Sequence, residues 1–171
     1  MSTANSTLIA FLAASLWFAS GSASSQSARS GAELLDAAER SFSDIPFGAP
    51  ESTPGLTIID REHCERWGEC SYRDVNRVEH YFREGELVVK TIQTAHIGDA
   101  PIDALGIGSA RALDAVIGRV MSFMPEAKID CQDIDDGHRN CGATLGEGWI
   151  SLKFDSSHRL TEVRIDAYHF T

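Results

Sequence analysis

From Trp149 to Asp155 the chain reads WISLKFD, in which Ile150, Leu152 and Phe154 alternate with Ser151, Lys153 and Asp155. A period of two marks a β-strand with one buried face. Ser156 to Arg159 supply turn residues, and Leu160 to Phe170 alternate again through Val163, Ile165 and Ala167. The pattern predicts a β-hairpin. A second hairpin is predicted from Arg77 to Phe82, through the turn Arg83 to Glu86, into a return strand from Leu87 to Thr94. Two stretches change period. Ala32 to Phe42 places Leu34, Leu35, Ala38 and Phe42 on one side, and Ser109 to Val120 places Leu113, Val116, Ile117 and Val120 at helical spacing. Both predict amphipathic helices, the second with Ser109 as its N-cap. Pro46, Pro50 and Pro54 mark an extended loop, and Pro101 and Pro125 punctuate the second half. The expected fold class is α+β: an antiparallel β-sheet with two or more helices on one face.

The hairpins also suggest a tandem. Cys70 to Phe82 is 12 positions and Phe82 to Leu87 is 5; Cys141 to Phe154 is 13 and Phe154 to Leu160 is 6. Phe47-Gly48 and Ile107-Gly108 stand at comparable places upstream. Residues 32–171 are expected to form one compact domain, built of two related α/β-hairpin units at 32–98 and 99–171.

The amino-terminal segment is of another kind. Residues 1–23 carry no charged side chain, and Leu8 to Ala19 is a 12-residue apolar run followed by Ser20, Gly21, Ser22 and Ala23. This is the apolar core and small-residue cleavage region of a signal peptide, cut after Ala23. The run falls short of the roughly 20 apolar residues of a membrane span, so no stable span is expected. Residues 24–31 (SSQSARSG) read as a flexible leader.

Four cysteines fit an exported chain. Cys64, Cys70, Cys131 and Cys141 allow three pairings, of which the local one, Cys64–Cys70 and Cys131–Cys141, is favoured because each pair lies in one short stretch. A zinc site helped by His63 or His138 lacks the usual C-x2-C or C-x4-C spacing, and no C-x-x-C redox pair is present. Export implies a periplasmic or secreted location.

The chain has 171 residues and a net charge of −10, from 15 basic and 25 acidic side chains. That charge argues against a nucleic-acid partner, since nothing offsets phosphate repulsion. All of it lies outside the first 23 residues.

The second half runs Gly106-Ile107-Gly108-Ser109, a helix through Ile117-Gly118, then Trp149, Phe154 and Leu160. In this order, over residues 106–170, it resembles the α+β repeat of the β-lactamase-inhibitor-protein-like and BamE-like exported proteins. The first half departs from that pattern, because its helix precedes Pro46-Phe47-Gly48. The resemblance implies a protein that acts by binding other proteins through its surfaces, with no catalytic residue to carry over.

Candidate chemistry is sparse. Asp130 to Asn140 (DCQDIDDGHRN) is the densest polar cluster, and Asp130, Asp133, Asp135 and Asp136 are candidate ligands for Ca²⁺. An EF-hand alignment fails, because Gln132 and Ile134 stand where acidic ligands belong; a solvated hairpin tip inside a disulfide loop is the simpler reading. His63, Glu65, Glu69 and Asp74 surround the first cysteine pair and could perform acid–base work, yet no G-x-S-x-G, H-E-x-x-H or phosphate loop accompanies them. Gly106 to Ser109 could hold an anion at a helix start, which an ordinary N-cap explains equally well. His80, His158 and His169 read as surface or satisfied residues.

The aromatic residues are more suggestive. Trp67 sits inside the short Cys64–Cys70 loop, Tyr72 follows it, Trp149 lies opposite the Ile150 face, and Tyr168 and Phe170 lie off the Val163/Ile165 face. Exposed Trp and Tyr favour protein interfaces. The expected function is an exported binding module with no enzymatic activity and no cofactor. It would meet a basic extracytoplasmic protein through Trp67, Tyr72, Trp149, Tyr168, Asp135 and Asp136, as an inhibitor or partner. The alternatives are an envelope-assembly or structural protein and a small metal-dependent hydrolase using the Asp130–His138 loop.

Overall fold

The computed structural model describes residues 28–168; the expected signal peptide, the first part of the leader, His169 and Phe170 lie outside them. Helix α1 (Gly31–Phe42) starts one residue before the expected position. Ser30 caps it, accepting from Glu33 N–H while the Glu33 carboxylate accepts from Ser30 N–H, a reciprocal capping box. A short strand β1 (Thr57–Ile58) and helix α2 (Arg61–Trp67) follow. The first hairpin region contains β2 (Glu69–Arg73), β3 (Glu79–Arg83) and β4 (Glu86–Gln93). Glu84 and Gly85 both have positive φ, 54° and 83°, as the two-residue turn between β3 and β4 requires. After the short helix α3 (Thr94–Ile97) the chain enters helix α4 (Leu113–Phe123), then β5 (Asp130–Asp133), β6 (Arg139–Leu145), β7 (Gly148–Phe154) and β8 (Leu160–Asp166).

All eight strands form one antiparallel sheet in the order β1-β2-β3-β4-β8-β7-β6-β5. Each half is a meander of consecutive strands, and the last strand of each meets the other at the centre, where Thr91 stands opposite Arg164. Both final hairpins carry a register shift at the same point, between Tyr81 and Phe82 and between Lys153 and Phe154. Both final strands also begin against a loop upstream, through the bridges Pro50–Glu86 and Ala112–Arg159. The halves differ in that α1 precedes its bridging loop while α4 follows its own. The cysteines are offset too: Cys70 faces Phe82, whereas Arg139, not Cys141, faces Phe154.

The main core lies on one face of the sheet. Ile92, Val163, Ile165, Ile150, Leu152 and Phe154 pack there against Leu34, Ala38 and Phe42 of α1 and Val116 and Val120 of α4. A smaller cluster of Ala49, Cys70, Phe82 and Leu87 extends it under the first half. The α+β class is therefore as expected, with α1 and α4 on one face. No described helix is long and apolar enough to cross a membrane.

One expected boundary is corrected. Ser109 does not cap α4; Ala112 holds the N-cap position and has no capping side chain. The reason lies in Arg111, which is buried and whose guanidinium donates to the carbonyls of Gly98, Ala100, Gly108 and Ala110. Those bonds and the backbone bridge to β8 (Leu160 N–H to Arg111 C=O, 2.7 Å) hold residues before Leu113 outside the helix. Gly106 and Gly108 take φ of 67° and 60° in a turn closed by the Ile102–Gly108 bridge. They open no helix, so the expected anion site loses its helix start.

Buried polar groups brace the first half. Lys90 is fully buried and lies 3.3 Å from the Glu39 carboxylate, donating also to the carbonyls of Glu39 and Ser43. Glu39 in turn accepts from Phe47 N–H, and the Phe47 ring lies 5.3 Å from Lys90 Nζ. Burial pushes the Lys90 pKa down, with the Glu39 charge opposing. Next to it, His80 Nε2 lies 3.1 Å from Asp74 Oδ2. Asp74 Oδ1 accepts from Asn76 and Val78 N–H, which fixes the β2–β3 turn.

Candidate protein-docking face

Because side chains alternate along a strand, the strands bury one set of residues under the helices and present the other set opposite. Neither α1 nor α4 covers that second face, and α3 only borders it, through His96. Its rows follow from the strand register. Ser71, Tyr81, Val89, Asp166, Trp149 and Thr144 form one row; Arg73, Glu79, Thr91, Arg164, Ser151 and Gly142 form the next. Gln93, Glu162, Lys153 and Asn140 form a third.

The face is held rigid by its own side chains. Arg164 makes a two-pronged contact with Asp166 at 2.5 and 2.8 Å, which raises the Arg164 pKa. Glu162 accepts from Gln93 at 2.5 Å and pairs with Lys153 at 2.7 Å. Arg73 pairs with Glu79 at 2.6 Å, and His96 Nε2 lies 3.5 Å from the same carboxylate. Burial, with help from the Glu69 carboxylate, pushes the Tyr81 phenol up and keeps it neutral. The basic groups Arg73, Arg83, Lys153 and Arg164 thus alternate with Glu69, Glu79, Glu162 and Asp166, and the face is close to charge balance. Its centre is a depression of about 410 Å³ lined by Tyr81, Thr91, Gln93 and Arg164 among others.

Trp149 belongs to this face. A Cβ placed on Gly142 would lie 2.1 Å from Trp149 Cζ2 and 2.6 Å from Ile150 O. The indole therefore lies over the Gly142 backbone, and only glycine leaves it room. Six longer strands at about 4.8 Å spacing and six residues at about 3.3 Å give a sheet face of roughly 600 Å² in projection. Side-chain relief raises that area, and a standard protein interface takes about 800 Å² from each partner.

The other expected binding residues scatter. Trp67 ends α2 and is 65% exposed, and Tyr168 is 53% exposed just past β8. Tyr72 points to the helix side, where its ring packs edge-on against Phe82 at 5.3 Å between centroids and its hydroxyl donates to Glu51. Asp135 and Asp136 lie in a 3-10 turn beside β5, at the edge opposite Trp67. Six strand spacings, about 30 Å, separate β2 from β5, so Trp67 and the acidic turn cannot touch one compact epitope.

The candidate catalytic and metal groups do not assemble either. His138 Nδ1 turns back to the Asp135 carbonyl at 3.1 Å, and Asp133 is taken by Arg139 at 2.6 Å. Asp130, Asp133, Asp135 and Asp136 are all exposed. Among the described residues, the single group of three ligand atoms within 4.8 Å is Glu51, Cys64 and Cys70. Both of those cysteines are in a disulfide, Cys64–Cys70; the other joins Cys131 to Cys141, directly opposite on β5 and β6. This is the expected local pairing. Two disulfides are consistent with an oxidising, extracytoplasmic location. Around the first pair, His63 lies 3.9 Å from Glu69 on the surface, while Asp74 is committed to His80.

No known protein family, curated protein or solved structure matches the chain.

Proposed function

We propose that the protein is an exported binding module that docks another protein on the helix-free face of its sheet. The observation that carries this reading is the face itself: an eight-stranded sheet whose helices α1 and α4 cover one side, with Trp149, Tyr81 and an ordered lattice of Arg–carboxylate pairs on the other. Cross-strand charge pairs stabilise a sheet on their own; here they also hold the side chains of the face in place. Rigid side chains reduce the ordering cost of association, and aromatic and Arg residues are the usual anchors of interfaces. Export rests on the apolar segment Leu8 to Ala19 and on the two disulfides.

Charge has a different place in this reading from the anchors. The docking face is balanced; an acidic turn with Asp130, Asp133, Asp135 and Asp136 lies beyond it at the β5 edge, where Arg139 pairs with Asp133, whereas at the other edge Arg61 and Arg66 offset most of Asp60, Glu62 and Glu65. Edge charge of this kind steers a cationic partner to the face and speeds encounter, with little effect on the dissociation rate. The inhibitor-like resemblance of the second half agrees with this mode of action.

The test is capture of partners from an extracytoplasmic fraction by the immobilised protein and by a Thr91→Arg variant. Thr91 is half-buried at the centre of the face, and an Arg there obstructs docking while leaving the core intact. The reading expects a protein retained by the wild type and lost by the variant. Equal retention by both places the contact elsewhere.

A further inference from the structure

A second cavity, of about 640 Å³, lies on the opposite side of the sheet, between the end of α1, the β2–β3 turn and the loop after α3. Its volume is in the range of small-molecule sites. Buried apolar side chains of Phe42, Val78, Ile92, Ile102 and Ala104 contribute to its lining. The walls are pre-formed. Lys90 fixes the end of α1 through the Glu39 and Ser43 carbonyls, and Asp74 fixes the turn that carries Asn76 and Arg77.

Two features favour a ligand there. Two non-glycine residues with left-handed backbone flank it: Arg77 with φ 66° in the wall, and Leu105, fully buried with φ 55°, next to the lining residue Ala104. Such conformations persist where the surrounding structure enforces them, often at binding sites. Second, the rim offers both signs of charge. Arg40 is engaged by Asp36 at 2.6 Å and His96 lies 3.5 Å from Glu79. That leaves the Arg77 guanidinium, without a partner among the described residues, and the exposed carboxylates of Asp44 and Asp103.

We propose that this cavity binds a small zwitterion with an apolar side chain, of about dipeptide size. Its carboxylate pairs with Arg77, its ammonium group faces Asp44 or Asp103, and its apolar side chain lies on the Phe42–Ile102 floor. A purely anionic ligand leaves the two carboxylates opposed, and an uncharged one leaves Arg77 unused.

The test uses the full disulfide-bonded chain and amide NMR titration with L-leucyl-L-leucine, alongside its uncharged N-acetyl amide. The expected result is saturable binding of the dipeptide, with shifts at Ser43, Asn76, Arg77 and Ile102 and not at the sheet face, and no saturation by the uncharged analogue. Arg77→Gly keeps the left-handed turn without strain and removes the guanidinium; it should weaken binding about tenfold, the scale of one lost charge-assisted contact. Absence of saturation at millimolar dipeptide, equal binding of the uncharged analogue, or unchanged affinity in Arg77→Gly overturns the proposal. None of these outcomes bears on docking at the opposite face.

Discussion

Replacing Lys90 with methionine removes a cation that lies wholly beneath α1. The methionine stem fills nearly the same volume, so the cost is electrostatic. Glu39, whose side chain is 13% exposed, loses its partner at 3.3 Å, and the carbonyls of Glu39 and Ser43 lose a donor. Breaking a buried pair on one side costs about 3–5 kcal/mol, because a charge is left buried and unpaired. At roughly 2–4 °C per kcal/mol for a chain of this size, Lys90→Met should lower the melting temperature by roughly 10 °C. The double variant Lys90→Met/Glu39→Gln removes both charges, and the amide oxygen introduced by Glu39→Gln can still accept from Phe47 N–H. It should recover about 2–3 kcal/mol of the loss, which is the coupling energy of the pair. Calorimetric unfolding of the wild type, both single variants and the double variant closes the cycle. A Lys90→Met variant as stable as the wild type, or two single effects that simply add, would refute the coupling.

Asp74→Asn should cost about 1.5–3 kcal/mol at neutral pH, the worth of a hydrogen bond to a charged group. The His80 hydrogen bond and the Val78 and Asn76 amides outweigh burial and hold Asp74 below its ordinary 3.8; its stabilisation is therefore present above that value and lost as pH falls through the folded one. Unfolding titrations should show the wild type and Asp74→Asn converging in acid; parallel curves down to low pH contradict the assignment. Gly142→Ala should displace the Trp149 indole, given the 2.1 Å approach, cost about 2–3 kcal/mol and shift the Trp149 fluorescence; an unchanged spectrum and melting temperature rule out the stacked indole. Opening Cys131–Cys141 with paired serines should cost about 2.5 kcal/mol, the loop-closure value for a 10-residue separation, read by urea unfolding; no change in midpoint would mean the β5–β6 pairing closes that loop unaided.

Local pattern carried the strands and the disulfide pairing. Ile150, Leu152 and Phe154, and Val163 and Ile165, face the core as their alternation requires. The same rule was ambiguous in LVVKTIQT, where both faces bear apolar residues; the register shift near Phe82 turns Lys90 inward beside Ile92. Helix α2 went unread because Arg61–Trp67 has no apolar stripe. Its signals were at the ends, in Asp60 as N-cap and Gly68 in the left-handed conformation with φ 69°. Ser109 misled because a good capping residue competes with the four carbonyl bonds of Arg111, a side chain whose burial no local pattern announces. The docking face was invisible for a longer-range reason. Alternating polar residues look solvated until the β4–β8 pairing brings the two halves into one sheet, and that pairing joins residues more than 60 positions apart.

Site-specific photo-cross-linking addresses the docking face most directly. A photoreactive amino acid is placed at Thr91, at the centre of the helix-free face, and in a second protein at Arg119, exposed on α4. Irradiation is carried out in the cells that produce the protein. The account predicts one discrete heteromeric adduct from position 91 and none from position 119. An adduct from position 119 alone, or none from position 91, would contradict it.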